Sequence, residues 1–167
     1  MKETIKVYFD LDGTVYDLYG KPNWLDDLEN EKPNVFTANR FMPDPVRFRK
    51  LIGDLLMLGV EFEVITWLSM QSSPEYEKVC SAEKTEWVKK YMPFVQKITC
   101  LSYGIPKQNA ITKRSGLMYL IDDNADVCKQ WETKKQRIAL NVSGVYTVLD
   151  ALEQIRNTIE MELIEGI

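Results

Sequence analysis

The chain has 167 residues, a net charge of −4 and apolar residues at 45%. This is the size and mix of one globular domain that buries enough surface to fold without disulfides or a structural metal. Mild acidity argues against a partner made of nucleic-acid backbone, which calls for clustered positive charge. Histidine is absent, which removes Ser-His-Asp and Cys-His catalysis, histidine-based zinc sites and a histidine general base.

In chain order, the first predicted element is a strand at Ile5–Phe9, β-branched and aromatic. Residues 15–43 follow, with Pro22, Pro33, Pro43 and four asparagines. That is too long for an ordinary strand-to-helix connection. It reads as a small lid inserted at about 15–43 of a single domain, 1–167, holding at most a short helix at 24–30. Asp44-Pro45 then marks a helix start, an N-cap followed by proline at the first turn. Phe48, Leu51, Ile52, Leu55 and Leu56 share one helical face, and Gly59 ends the helix.

A strand is predicted at 60–65, then a helix over 81–92 with a possible start at Pro74 and a stop at Pro93. Weaker strand character spans 98–101. The run at 117–121 is apolar throughout, as in a strand buried on both faces. A helix at 125–134, a strand at 137–142 and a final helix from about Thr147 complete the chain. The final helix carries Val148, Leu152, Ile155 and Ile159 on one face. Alternating strands and helices imply an α/β fold: a three-layer, Rossmann-like parallel sheet with helices on both faces and a small cap insertion after strand 1.

The three cysteines, Cys80, Cys100 and Cys128, are odd in number and have no C-x-x-C spacing, as expected of reduced thiols. The N-terminal residues lack the apolar stretch of a signal peptide, and no apolar run nears the ~20 residues of a membrane span. The chain therefore reads as cytoplasmic, with no membrane partner.

In such sheets ligands bind beyond the carboxyl ends of the strands. Strand 1 is followed by Asp10, Leu11, Asp12, Gly13 and Thr14, strand 2 by Thr66, and strand 4 by Asp122 and Asp123. Four carboxylates brought together raise one another's pKa and call for a hard divalent cation, Mg²⁺ first. Four carboxylates, one such ion and one lysine leave about one negative charge, so a phosphate dianion is accepted best with Asp12 protonated. Asp10, fixed at the strand end, is placed to attack phosphorus. Gly13 allows a tight bend and close approach, and Thr14 can hold the loop.

The run D-L-D-G-T-V after an apolar strand, a threonine ending a second strand, a lysine, and then I-D-D resembles the four-motif set of the haloacid dehalogenase (HAD) superfamily. The resemblance runs in order from Ile5 to Val142. The segment S-A-E-K-T-E-W-V-K-K-Y-M-P with L-I-D-D is also similar to the 5′(3′)-deoxyribonucleotidase branch, and Y-G-x-P-K to short phage-type members. It implies a HAD-like fold and a magnesium-dependent phosphomonoesterase with an aspartyl-phosphate intermediate. A small phosphate ester such as a nucleoside monophosphate is the implied substrate.

By the same resemblance Asp10 is nucleophile and metal ligand. Asp12 is general acid/base, its backbone carbonyl a metal ligand. Thr66 binds the transferring phosphoryl group, and Asp122 and Asp123 hold the metal. The motif lysine is Lys107, just after the third strand, with Lys113 and Lys84 as alternatives; Lys84 reads as part of a solvent-facing run of helix charges. Gly13, Thr14, Trp67 and Trp24 are candidate substrate contacts. Trp24, Tyr16, Tyr19, Phe36, Phe41 and Trp67 offer aromatic surface on which a base could stack, packing being the plainer role. Lys21 and Arg40 read as surface charges of the lid, and Trp87 and Trp131 as core.

The dehalogenases proper lack an acid two residues after the nucleophile, so Asp12 points to phosphate chemistry. Two alternatives stay open. A phosphoaccepting signalling module uses similar groups, but receiver domains place the acidic pair first and the lysine last. A non-catalytic relative would keep the fold as a binding protein.

Overall fold

The computed structural model of the chain describes residues 4–111 and 116–165. Lys113, one of the alternatives for the motif lysine, lies outside the described residues.

Five parallel strands form one sheet: β1 (Ile5–Phe9), β2 (Val60–Trp67), β3 (Lys97–Leu101), β4 (Leu117–Asp122) and β5 (Arg137–Asn141), in spatial order β3-β2-β1-β4-β5. The helices are α1 (Trp24–Glu29), α2 (Pro45–Met57), α3 (Pro74–Tyr91), α4 (Ala125–Trp131) and α5 (Val148–Glu165), with a 3-10 turn at Lys107–Ala110. The molecule is a three-layer, Rossmann-like α/β fold. Val7, Phe9, Phe62, Val64 and Ile121 face one layer, where α2, α3 and α5 pack, while Tyr8, Ile65, Met118 and Leu120 face α4 and the 3-10 turn. The alternation follows from the two-residue period of the strands. Among the described residues no helix is long and apolar enough to cross a membrane.

The α2 N-terminus forms as its composition dictates, with Asp44 accepting the Arg47 N–H at 2.8 Å and Pro45 in the first turn. Phe48, Leu51, Ile52 and Leu55 are buried. Leu56 is exposed instead, because it falls at the edge of the apolar stripe. Strand β2 runs two residues past the predicted 60–65, since Thr66 and Trp67 pair with Cys100 and Leu101. Helix α3 takes the earlier start, capped by Ser73, whose hydroxyl accepts the Tyr76 N–H. Helix α4 stops at Trp131, three residues short of the predicted 134. Gln136 then takes a left-handed conformation (φ 65°) as the chain turns into β5.

The long connection between β1 and α2 carries α1 and is tied to α3 by polar contacts. Glu83 accepts from the Asn34 and Phe36 N–H groups, Glu31 from the Ser73 N–H and hydroxyl, and the Tyr76 hydroxyl donates to the Lys32 carbonyl. Trp87 adds an indole bond to the Ala38 carbonyl at 3.0 Å.

Candidate active site

β1 and β4 are neighbours at the point where the strand order reverses. Here crossovers leave on opposite sides and a crevice opens beyond the strand ends. Asp10 follows β1 and Asp122 ends β4. Between them stands the ammonium of Lys107, 2.6 Å from Asp10 Oδ1 and 2.6 Å from Asp122 Oδ2. Lys107 is only 2% exposed. Burial opposes its charge, but the two carboxylates outweigh that and push its pKa up to about 12.

Asp10, Asp122 and Asp123 offer carboxylate oxygens that all lie within 4.8 Å of one another. This oxygen-only set suits a hard divalent ion. The pKa of Asp123 is raised to about 7 by burial and by the charges of Asp10 and Asp122. That of Asp122 is raised to about 6 by burial and Asp10, against the pull of Lys107. Such crowding is what a cation relieves, so the residues fit the expected Mg²⁺.

Thr14 and Gly13 stand behind this cluster. The buried Thr14 hydroxyl is 3.4 Å from both Asp10 Oδ2 and Asp123 Oδ1, and accepts the Asp123 N–H at 3.2 Å. Gly13 has φ 75°, and a Cβ there would sit 2.4 Å from Asp123 Oδ2 and 2.5 Å from Tyr19. The glycine thus lets Asp123 and the lid approach the turn. Both residues line a second cavity of about 530 Å³, which Asp123 also borders, and not the main one.

The main cavity measures about 760 Å³ and is lined by Asp10, Asp12, Lys107, Asp122 and Asp123. Two aromatic pairs also line it: Tyr19 with Trp24 from the lid (centroids 5.1 Å apart) and Trp67 with Tyr103 from the ends of β2 and β3 (5.0 Å). The Trp67 indole is fixed by donation to the Ile105 carbonyl at 2.7 Å. Tyr16 and Phe36 are buried in the core, as are Trp87 and Trp131. Phe41 packs edge-on against Phe48. Lys21 pairs with Asp27, and Arg40 with Asp17 at 2.7 Å.

The Asp12 carboxylate stands outside the three-carboxylate set. Its Oδ2 is 2.6 Å from the ammonium of Lys84. Burial pushes its carboxyl upward, against the pull of Lys84. Lys84 corrects the expectation of a solvent-facing charge: it is 1% exposed, because Tyr76, Cys80, Lys84, Trp87 and Val88 form the buried face of α3. Thr66 is fully buried, accepts from Lys84 at 3.1 Å and is 3.3 Å from the Trp67 carbonyl, so its hydroxyl does not line the cavity. Tyr103, of the Y-G-x-P-K motif, lines the main cavity too, as do Ser69 and the lid carboxylates Glu29 and Glu31, which are not among the candidates drawn from the sequence. Ser69 lies in the strand-end loop where such groups are sought; the lid residues carry no motif.

Compared with protein-family models, the chain matches none, and no curated protein matches it either.

Proposed function

We propose that the protein is a magnesium-dependent phosphomonoesterase of the HAD type. The convergence of Asp10, Asp12, Lys107, Asp122 and Asp123 on one cavity at the switch point of the sheet carries this reading. A carboxylate oxygen of Asp10 attacks phosphorus, and the bond from phosphorus to the leaving oxygen breaks as Asp12 gives that oxygen its proton. The ionised Asp12 then takes a proton from water, whose oxygen attacks the aspartyl-phosphate. The bond between Asp10 and phosphorus breaks, releasing inorganic phosphate. Lys107 offers positive charge beside the nucleophile. Asp10, Asp122 and Asp123 would hold Mg²⁺, which supplies charge neutralisation for the incoming phosphate.

The cavity supports a small ester whose leaving alcohol carries an aromatic ring. Its volume is that of a small-molecule site, and its aromatic pairs suit a planar ring. Lys107 is its one cationic side chain among the described residues, against Glu29, Glu31 and Asp126 beyond the central carboxylates. That balance favours a monophosphate, such as a nucleoside monophosphate, over a polyphosphate or polynucleotide.

The direct test is phosphate release from a panel of mononucleotides with Mg²⁺. The wild type turns over at least one of them and Asp10→Asn none. No turnover of any phosphomonoester, or equal turnover by the variant, overturns the proposal.

A further inference from the structure

Lys84 is a buried cation on α3, away from the wall of the main cavity. An ammonium has three N–H donors, and all three are accounted for. They go to Asp12 Oδ2 at 2.6 Å, the Trp67 carbonyl at 2.6 Å and Thr66 Oγ1 at 3.1 Å. The ring of Phe36 lies 4.5 Å from the same nitrogen. No donor is left for a phosphoryl oxygen. Asp12, by contrast, lines the cavity, so Lys84 reaches the reacting groups only through it.

We infer that Lys84 is a positioning residue that holds Asp12 through Oδ2, fixing the carboxyl that exchanges the proton with the leaving group and with water. The inference rests on the phosphomonoesterase reading and adds to it a residue. Lys84 touches neither phosphate nor Asp10; it acts through Asp12. Its neighbour Glu83 pins the lid backbone at Asn34 and Phe36. One turn of α3 therefore sets the lid and the acid together. In the first step the Asp12 carboxyl proton moves to the leaving oxygen as the electron pair of the breaking P–O bond returns to it. In the second, water gives a proton to the Asp12 carboxylate as its oxygen bonds to phosphorus.

The test is single-turnover release of the leaving group with enzyme in excess, on two substrates. One is a nucleoside monophosphate, whose alkoxide needs protonation; the other is p-nitrophenyl phosphate, whose phenolate departs without it. Lys84→Met is expected to slow the nucleotide by about a hundredfold, the scale of lost general acid catalysis, and p-nitrophenyl phosphate far less. Asp12→Asn shows the same skew. Should Lys84→Met fail to fold by circular dichroism, the two rates are compared in Lys84→Gln, with the same skew expected. Equal slowing of both substrates in a folded variant, with Asp12→Asn skewed, overturns the positioning role and leaves the phosphatase reading standing. A wild type inactive on both substrates overturns the two together.

Discussion

The Lys107 ammonium and the Asp10 carboxylate meet at 2.6 Å in a nearly closed environment, with Asp122 at the same distance on the other side. Removing one partner of a buried pair costs more than the pair itself contributes, because a charge is left uncompensated. Lys107→Met is therefore expected to lower metal-free stability by about 3 kcal/mol and turnover by about a thousandfold. Urea unfolding with a chelator present and steady-state assays check the two effects. Wild-type stability in the variant contradicts the ion pair.

The acidic cluster sets a pH dependence. Asp122 and Asp123 have pKa values of about 6 and about 7, against 3.8 for a free side chain. Between about pH 4 and 7 the native state thus binds more protons than the unfolded chain, and stability from these groups falls as pH rises. Lys107 acts in another window, its contribution complete below about 10.5 and lost as pH rises through about 12. Chemical denaturation of metal-free protein at pH 4.5 and 7, wild type against Asp123→Asn, isolates the carboxylate part. The expected result is a smaller fall for the variant, and a smaller fall for wild type once Mg²⁺ is added. Equal slopes in the two proteins without metal contradict the crowding.

Gly13 offers a steric test. Alanine there meets Asp123 and Tyr19 within 2.5 Å in a backbone conformation unfavourable to L residues. Gly13→Ala is expected to destabilise by about 2 kcal/mol and to weaken Mg²⁺ binding in calorimetry, since the Asp123 carboxylate has to move. A variant with wild-type melting temperature and metal affinity contradicts this.

The thiols provide a check on burial. Cys80 and Cys128 are buried, which pushes their pKa values up to about 11 and about 12, whereas Cys100 is partly exposed. Thiolate, not thiol, is the nucleophile. Iodoacetamide at pH 8 is expected to label Cys100 first, with Cys80 and Cys128 following only on unfolding. Peptide mapping after a short pulse reads the order, and rapid labelling of Cys128 contradicts the packing of α4.

Much of this arrangement was legible because it follows local rules. The strands declared themselves by β-branched and apolar runs, α2 by Asp44-Pro45, and the crevice by the carboxylates that follow β1 and β4. Lys84 was not legible. It sits among Glu83, Glu86, Lys89 and Lys90, where composition suggests solvent, and only its four-residue step from Cys80 hints at the buried face. The inward-turned Thr66 was equally hidden, since position in a strand does not say which partner a hydroxyl finds. The lid lacked periodicity, because residues 31–38 are held by side chains of α3 and not by a ladder of their own.

In the proposed reaction Asp10 becomes covalently phosphorylated. Protein mixed with Mg²⁺ and a phosphomonoester that it turns over, quenched in acid within milliseconds and digested, is examined by mass spectrometry for the peptide containing Asp10. The expected result is one added phosphoryl group on Asp10 in the wild type and none in Asp10→Asn. Turnover of the ester with that peptide unmodified at every quench time, or a phosphoryl group on a different residue, would contradict it.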